Sequence, residues 1–306
     1  MSILYVIIKI LSMYLYIILG FIYKKYTRLQ YNIIANLLYY IFVPMIVFKS
    51  AASVNIFNFF MLALLSFSIS LIIAIIIFKI FNKINMPMEQ GLTQCVYSQF
   101  NIGWFGIPIV YILFGAKWSE IMTALYIGGM LFGNTIGYLL IANTKNNIIS
   151  IIKTLCKIPS IYAILLGFIL QYININIFNE SSIFLNYLFH LASLTTSILG
   201  MVLIGISIAN VSIGSINWQK IFFLQFSRLF IAYIIVMPLS YLFYSYGLIN
   251  IDGFKVTILL PMLPIAANII VFNTKLNGNN SFLGLNMVAS TILSLLYIAI
   301  MLIFYK

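Results

Sequence analysis

The residues best suited to chemistry in this chain are few, and most are amides. Two stretches place an asparagine beside helix-breaking residues: Asn101-Ile102-Gly103-Trp104-Phe105-Gly106-Ile107-Pro108 and Pro261-Met262-Leu263-Pro264-Ile265-Ala266-Ala267-Asn268. An amide donates to a carboxylate and accepts from a hydroxyl. Glycine and proline leave backbone N–H and C=O groups without helical partners. Within apolar segments this combination points to an anion held by free N–H groups, half-helix N-termini and the side chains of Asn101 and Asn268. Gly103 and Gly106 would allow close backbone approach, and Pro108, Pro261 and Pro264 would free backbone groups. Two proline kinks without a ligand, with Asn101 as a helix cap, are the plainer alternative.

Two further polar residues join this set. Arg228 lies inside an apolar segment, where a charge is costly and marks function by default. It is expected to attract an anion, brace the interior or snorkel to the interface. Asn134 sits beside Gly129, Gly133 and Gly137, which recur every four residues. That spacing is expected to pack helices closely, leaving Asn134 to reach the site or bond across helices. His190 is expected as a hydrogen-bonded interfacial residue and Lys49 as an interface anchor.

Other chemistries lack their residues. The only acids are Glu89, Glu120, Glu180 and Asp252, and His190 is the only histidine. No catalytic acid pair, His-built metal site or phosphate loop can be assembled from these. An enzyme, a cofactor and a metal are therefore not expected. Cys95 and Cys156 lack metal or redox spacing and are expected as small buried hydrophobes. Ser98, Gln99 and Thr291 could serve a sodium site, though nothing in the sequence singles them out.

The elements that carry these residues follow from composition. Of 306 residues, 64% are hydrophobic and 7% charged, with mean hydropathy +1.13. Twenty charges cannot coat a soluble fold of this size, so the bilayer is the expected partner. The net charge of +12 is scattered between apolar segments, which argues for topology signals and against nucleic acid. Spans of about 20 apolar residues are expected at 2–22, 31–52, 57–78, 88–115, 120–142, 159–178, 183–210, 219–247, 253–275 and 282–305. The first is expected as a retained helix, since it carries Lys9 and no small-residue cleavage site follows it. Ten loop lysines and arginines fall on one side and four on the other, which places both termini outside.

Residues 143–158 hold three lysines and adjacent asparagines and read as a cytoplasmic linker. It divides the chain into 1–142 and 159–306, with five spans each. An odd number per half inverts the second half, giving the inverted repeat of secondary transporters. The two Gly/Pro-interrupted spans are then the fourth of each half, at matching positions.

At these residues the chain resembles the auxin efflux carrier family, especially its bacterial malate permeases. N-I-G-W-F-G-I-P looks like that family's N-x-G-x-x-G-x-P crossover. L-P-I-A-A-N-I-I-V-F, then N-G-N and A-S-T-I-L-S-L, looks like its second crossover and last helix. F-V-P-M-I-V-F at 42–48, P-S-I-Y-A-I-L-L-G at 159–167 and L-I-G-I-S-I-A at 203–209 extend the likeness over nearly the whole chain. The resemblance implies an all-α membrane fold of ten helices, a 5+5 inverted repeat whose spans four and nine are broken and cross. It also implies a permease in the cell membrane that moves a small organic anion, malate or a related carboxylate, by alternating access. A sodium-coupled carrier of the bile-acid type and a non-catalytic channel or sensor remain alternatives. A homodimer is left open.

Overall fold

The fold is that of a computed structural model describing residues 3–26, 31–84, 86–142, 156–178, 182–209, 217–276, 278–279 and 281–304. Most of the expected linker, 143–155, lies outside these residues. The architecture is all-helical, and among the described residues six helices are long and apolar enough to cross a membrane. The chain is accordingly a multi-pass membrane protein.

In chain order, α1 is Ile3–Tyr26. Helix α2 runs through Tyr31–Leu37, a π-turn at Leu38–Phe42 and Val43–Ser53. Helix α3 is Ile56–Ile84 and α4 is Gln90–Ser98. After a π-turn at Ile102–Gly106, α5 is Ile107–Phe114. Gly115, at φ 91°, turns the chain into α6, Ala116–Ala142, which contains a π-turn at Gly133–Gly137. Then follow α7 (Pro159–Tyr172), α8 (Ile183–Ala209) and α9 (Trp218–Ser245). The last three are α10 (Ile251–Thr257), α11 (Asn268–Lys275) and α12 (Ser281–Phe304).

Polar residues mark several helix starts. The Asn217 side chain accepts from Lys220 N–H at 3.1 Å and opens α9. Asn250 accepts from Gly253 N–H at 2.8 Å and opens α10. Each occupies one of the backbone donors that a helix N-terminus leaves unpaired.

Packing sorts the helices into two sets. Helix α1 lies along α8, α7 lies along α2, and α8 also touches α2. Helix α3 packs on α6 and α4, while α9 packs on α3, α10 and α12. In lipid, helices associate mainly through van der Waals fit, because tails are as apolar as leucine. The close approaches are accordingly made at glycines. A Cβ on Gly128 would stand 1.9 Å from Ala63 O, and one on Gly91 1.8 Å from Leu140 O.

The row Gly129, Gly133 and Gly137 has a different use from the helix packing expected. Gly129 faces the Ile102 side chain, and Gly133 and Gly137 face Gln99. The row makes room for the interrupted segment after α4, and Gly128 makes the helix contact with α3. Large apolar side chains on the outward faces remain uncovered, including Leu166 on α7 and Phe226 and Phe230 on α9. Such faces suit lipid and would be costly in water.

Candidate functional site

Both expected interruptions are present as breaks in helix. Helix α4 stops at Ser98 and regular α-helix resumes only at Ile107. Between them the π-turn is closed by Gly106 N–H donating to Asn101 O at 2.9 Å. Pro108 falls in the first turn of α5, where its missing N–H costs no helical bond. In the second segment α10 ends at Thr257, Leu260–Met262 makes one 3-10 turn containing Pro261, and α11 begins at Asn268.

The two breaks meet backbone to backbone. Phe100 and Ile265 form an antiparallel bridge. Asn101 N–H donates to Pro264 O at 2.8 Å, and Ala266 N–H donates to Gln99 O at 3.2 Å. Ile265 N–H donates to the Ser290 hydroxyl of α12 at 3.2 Å. Gly106 lets the segments close, since a Cβ there would stand 2.9 Å from Leu263 Cδ1. A Cβ on Gly103 would stand 2.7 Å from the Tyr126 ring. Non-helical backbone in a bilayer protein is tolerated only where protein or a cavity shields it, and here each break shields the other.

Arg228 ties the meeting point together. Its Nε donates to Val96 O at 3.1 Å and Nη1 to Leu263 O at 3.0 Å. Nη2 donates to Gln99 O at 3.4 Å and Pro264 O at 3.3 Å. The guanidinium also stacks 5.0 Å from the Phe100 ring centre. Two carbonyls come from the second break, one from the first (Gln99) and one from the last turn of α4 before it (Val96), so one side chain of α9 clamps both interrupted segments. At 4% exposure the side chain does not snorkel. Its hydrogen bonds go to backbone rather than to an open site, so of its expected roles the brace is the one with visible partners. Freed backbone groups were expected at the prolines; the carbonyls of Leu263 and Pro264 are paired, through this clamp and the bridge.

The amides divide. Asn101 is 6% exposed, and its side chain makes no capping bond to the helix it precedes, which removes the cap as its explanation. Asn268 Nδ2 donates to Gln99 Oε1 at 3.4 Å. Asn134 Nδ2 bonds back to Met130 O of its own helix at 2.8 Å, the local alternative open to asparagine at a distorted turn. The structure brings Gln99 and Asn268 into contact and gives Asn134 no bond to them. Gln99 carried no mark in the sequence. Its signal was position, two residues before Asn101 at the edge of the interruption.

The remaining polar residues lie elsewhere. Lys49 of α2 pairs with Glu120 of α6 at 3.8 Å, both side chains about four-fifths buried, and lies 5.9 Å from the Phe178 ring centre. It is thus an ion-pair partner, a role its sequence position did not indicate. The Ser50 hydroxyl donates to Glu120 O at 2.7 Å, adding a second α2–α6 tie. Glu120→Gln is expected to change stability by no more than about 1 kcal/mol, because the cost of burying the carboxylate offsets its attraction to Lys49, read as a small shift in melting temperature in detergent. A Lys49→Met cycle should recover most of that as coupling. The Tyr111 hydroxyl and His190 Nδ1 form a hydrogen bond. Cys95 is buried and donates to Gly137 O at 3.3 Å, but Cys156 is exposed, contrary to expectation, because it sits in the turn before α7. Among the described residues no group of His, Cys, Asp and Glu could hold a metal. A cavity of about 540 Å³ opens beside the start of α4 and the end of α11, lined by Glu89, Asn217, Lys220 and Asn273 among others.

No protein-family model matches the chain, and no curated protein matches its sequence. The functional reading therefore stands on the residues and their geometry.

Proposed function

We propose that the chain is a secondary transporter of small organic anions, malate or a related carboxylate, working by alternating access. The observation that carries this reading is the contact of two interrupted helices, backbone to backbone, with Gln99, Asn101 and Asn268 gathered around it. Paired broken helices bearing polar groups are the usual plan of a transporter's binding site.

Ten spans, a 5+5 inverted repeat and a crossing of spans four and nine complete the proposal. The packing supports it. One set of helices holds α1 and α2 from the first half with α7 and α8 from the second. These are the first two spans of each proposed half. The other set holds the remaining spans of both halves, as two intertwined repeats would require. The auxin efflux carrier family is the proposed relationship, the cell membrane the proposed location, and both termini are placed outside. Helix α2 meets α6 across the two sets at Lys49–Glu120, so relative movement of the sets would break this tie.

The test is radiolabelled malate flux in proteoliposomes, with and without sodium and pH gradients. Saturable flux is expected, reduced about tenfold or more by Asn101→Ala, the scale of one lost hydrogen bond to a charged group. Non-saturable flux would favour a channel. Absence of flux for malate and succinate under every gradient would remove the carboxylate-carrier reading.

A further inference from the structure

We infer that Gln99 is the residue that receives the substrate's carboxylate, through its side-chain amide nitrogen. This rests on the transport reading above and assigns a residue to its site. Gln99 is 3% exposed, and its Nε2 has no hydrogen-bond partner; the Cys95 sulfur lies beside the amide, a weak acceptor whose own proton goes to Gly137 O. A buried N–H donor left unpaired is a standing cost to the fold, rare enough in proteins to need a reason. The rest of the side chain has neighbours. Oε1 accepts from Asn268 Nδ2 at 3.4 Å, which joins the amide to the other break. The amide lies against two bare glycines: a Cβ on Gly133 would stand 2.8 Å from Oε1, and one on Gly137 2.4 Å from Nε2. A side chain engaged through its oxygen, with its nitrogen unspent, is organised to give a hydrogen bond to something absent from the chain.

The chemistry of that partner follows. An N–H donor attracts an acceptor oxygen and repels a cation, so Nε2 suits a carboxylate and does not suit sodium. Arg228, the nearest permanent charge to this backbone, donates to Gln99 O and three other carbonyls. Its field favours an anion nearby while its bonds remain with the backbone. Recognition thus falls to a neutral donor set in a positive field, which binds a carboxylate reversibly without an ion pair that would hold it too long.

The experiment uses the purified full chain in proteoliposomes, with radiolabelled malate as probe and wild type, Gln99→Leu and Gln99→Glu compared. Gln99→Leu is expected to raise KM for malate about tenfold or more with a small change in maximal rate. Gln99→Glu, close in shape, is expected to abolish flux at pH 7.5. Flux should return, relative to wild type measured alongside, at pH 5.5, where a protonated carboxyl can donate again. The wild-type profile accounts for titration of the substrate and of the rest of the chain. If Gln99→Leu fails to fold, the glutamate variant carries the test. A glutamine that only props Asn268 predicts a lower melting temperature and maximal rate, an unmoved KM and no recovery in acid, and that result overturns the assignment. Saturable wild-type flux with KM unmoved in both variants sinks the role of Gln99 alone. A wild type that moves no carboxylate sinks the transport reading and this inference with it.

Discussion

Arg228→Leu is expected to lose the folded state in detergent, or to melt roughly 5–8 °C below the wild type. The side chain donates to four carbonyls drawn from the two interrupted segments. The carbonyls of Gln99 and Pro264 keep their bridge partners, Ala266 N–H and Asn101 N–H. Those of Val96 and Leu263 receive no other bond among the described residues. Leucine would therefore leave two buried carbonyls bare, at about 1–3 kcal/mol each, and remove the cation stacked on Phe100. The terms are coupled, so a total of about 3–5 kcal/mol is the sensible scale. In a chain of this size that corresponds to the stated fall in melting temperature. Arg228→Lys should be intermediate, because a compact ammonium cannot span the same set of carbonyls as a planar fork. A leucine variant that elutes and melts like the wild type would show that the clamp contributes nothing.

Gly205→Ala is the second large effect, expected to cost about 1–3 kcal/mol, and Gly205→Leu is expected to prevent assembly. Helices α1 and α8 touch through reciprocal glycines. A Cβ on Gly205 would stand 1.9 Å from Ile17 O, and one on Gly20 would stand 2.1 Å from Val202 O. Both obstacles are backbone atoms of rigid helices, which cannot swing aside as a side chain can. The helices would have to separate along their length. That forfeits the van der Waals fit on which association in lipid depends. Because one separation relieves both clashes, Gly20→Ala combined with Gly205→Ala should cost less than the sum. Gly129→Ala is the control. Its nearest neighbour is a flexible Ile102 methyl at 3.2 Å, and its effect should stay under about 1 kcal/mol. Melting curves in detergent or nanodiscs would separate the three. Equal falls for Gly205→Ala and Gly129→Ala would remove the special standing of the α1–α8 seam.

How far each feature could be read from the sequence depends on the range of the interaction behind it. The interruptions at 99–106 and 258–267 were legible, because glycine and proline act on their own backbone within a turn. The residues through which they pair were not, although the family resemblance implied that the two broken spans cross. Phe100 and Ile265 are far apart in sequence, and nothing in either stretch names its partner. The glycine row of α6 was visible as a spacing, yet spacing alone could not say whether it faced a helix or a side chain. The structure turned Gly133 and Gly137 toward Gln99 and gave the helix contact to Gly128. Cys156 shows the limit from the other side: composition placed it indoors, and a short turn before α7 put it at the surface.

By itself, the sequence determined that this is a helical membrane protein, because 64% hydrophobic residues with 7% charge admit no water-facing shell. It also determined where the helices fail, because backbone freedom is a local property of residue type. Only the tertiary structure decided what each failure is for. It put Arg228 on four carbonyls, set Gln99 against Asn268 and left one amide nitrogen unspent. Those choices come from contacts between residues distant in sequence, made where a polar group left unpaired is costly. No local rule encodes which partner that will be.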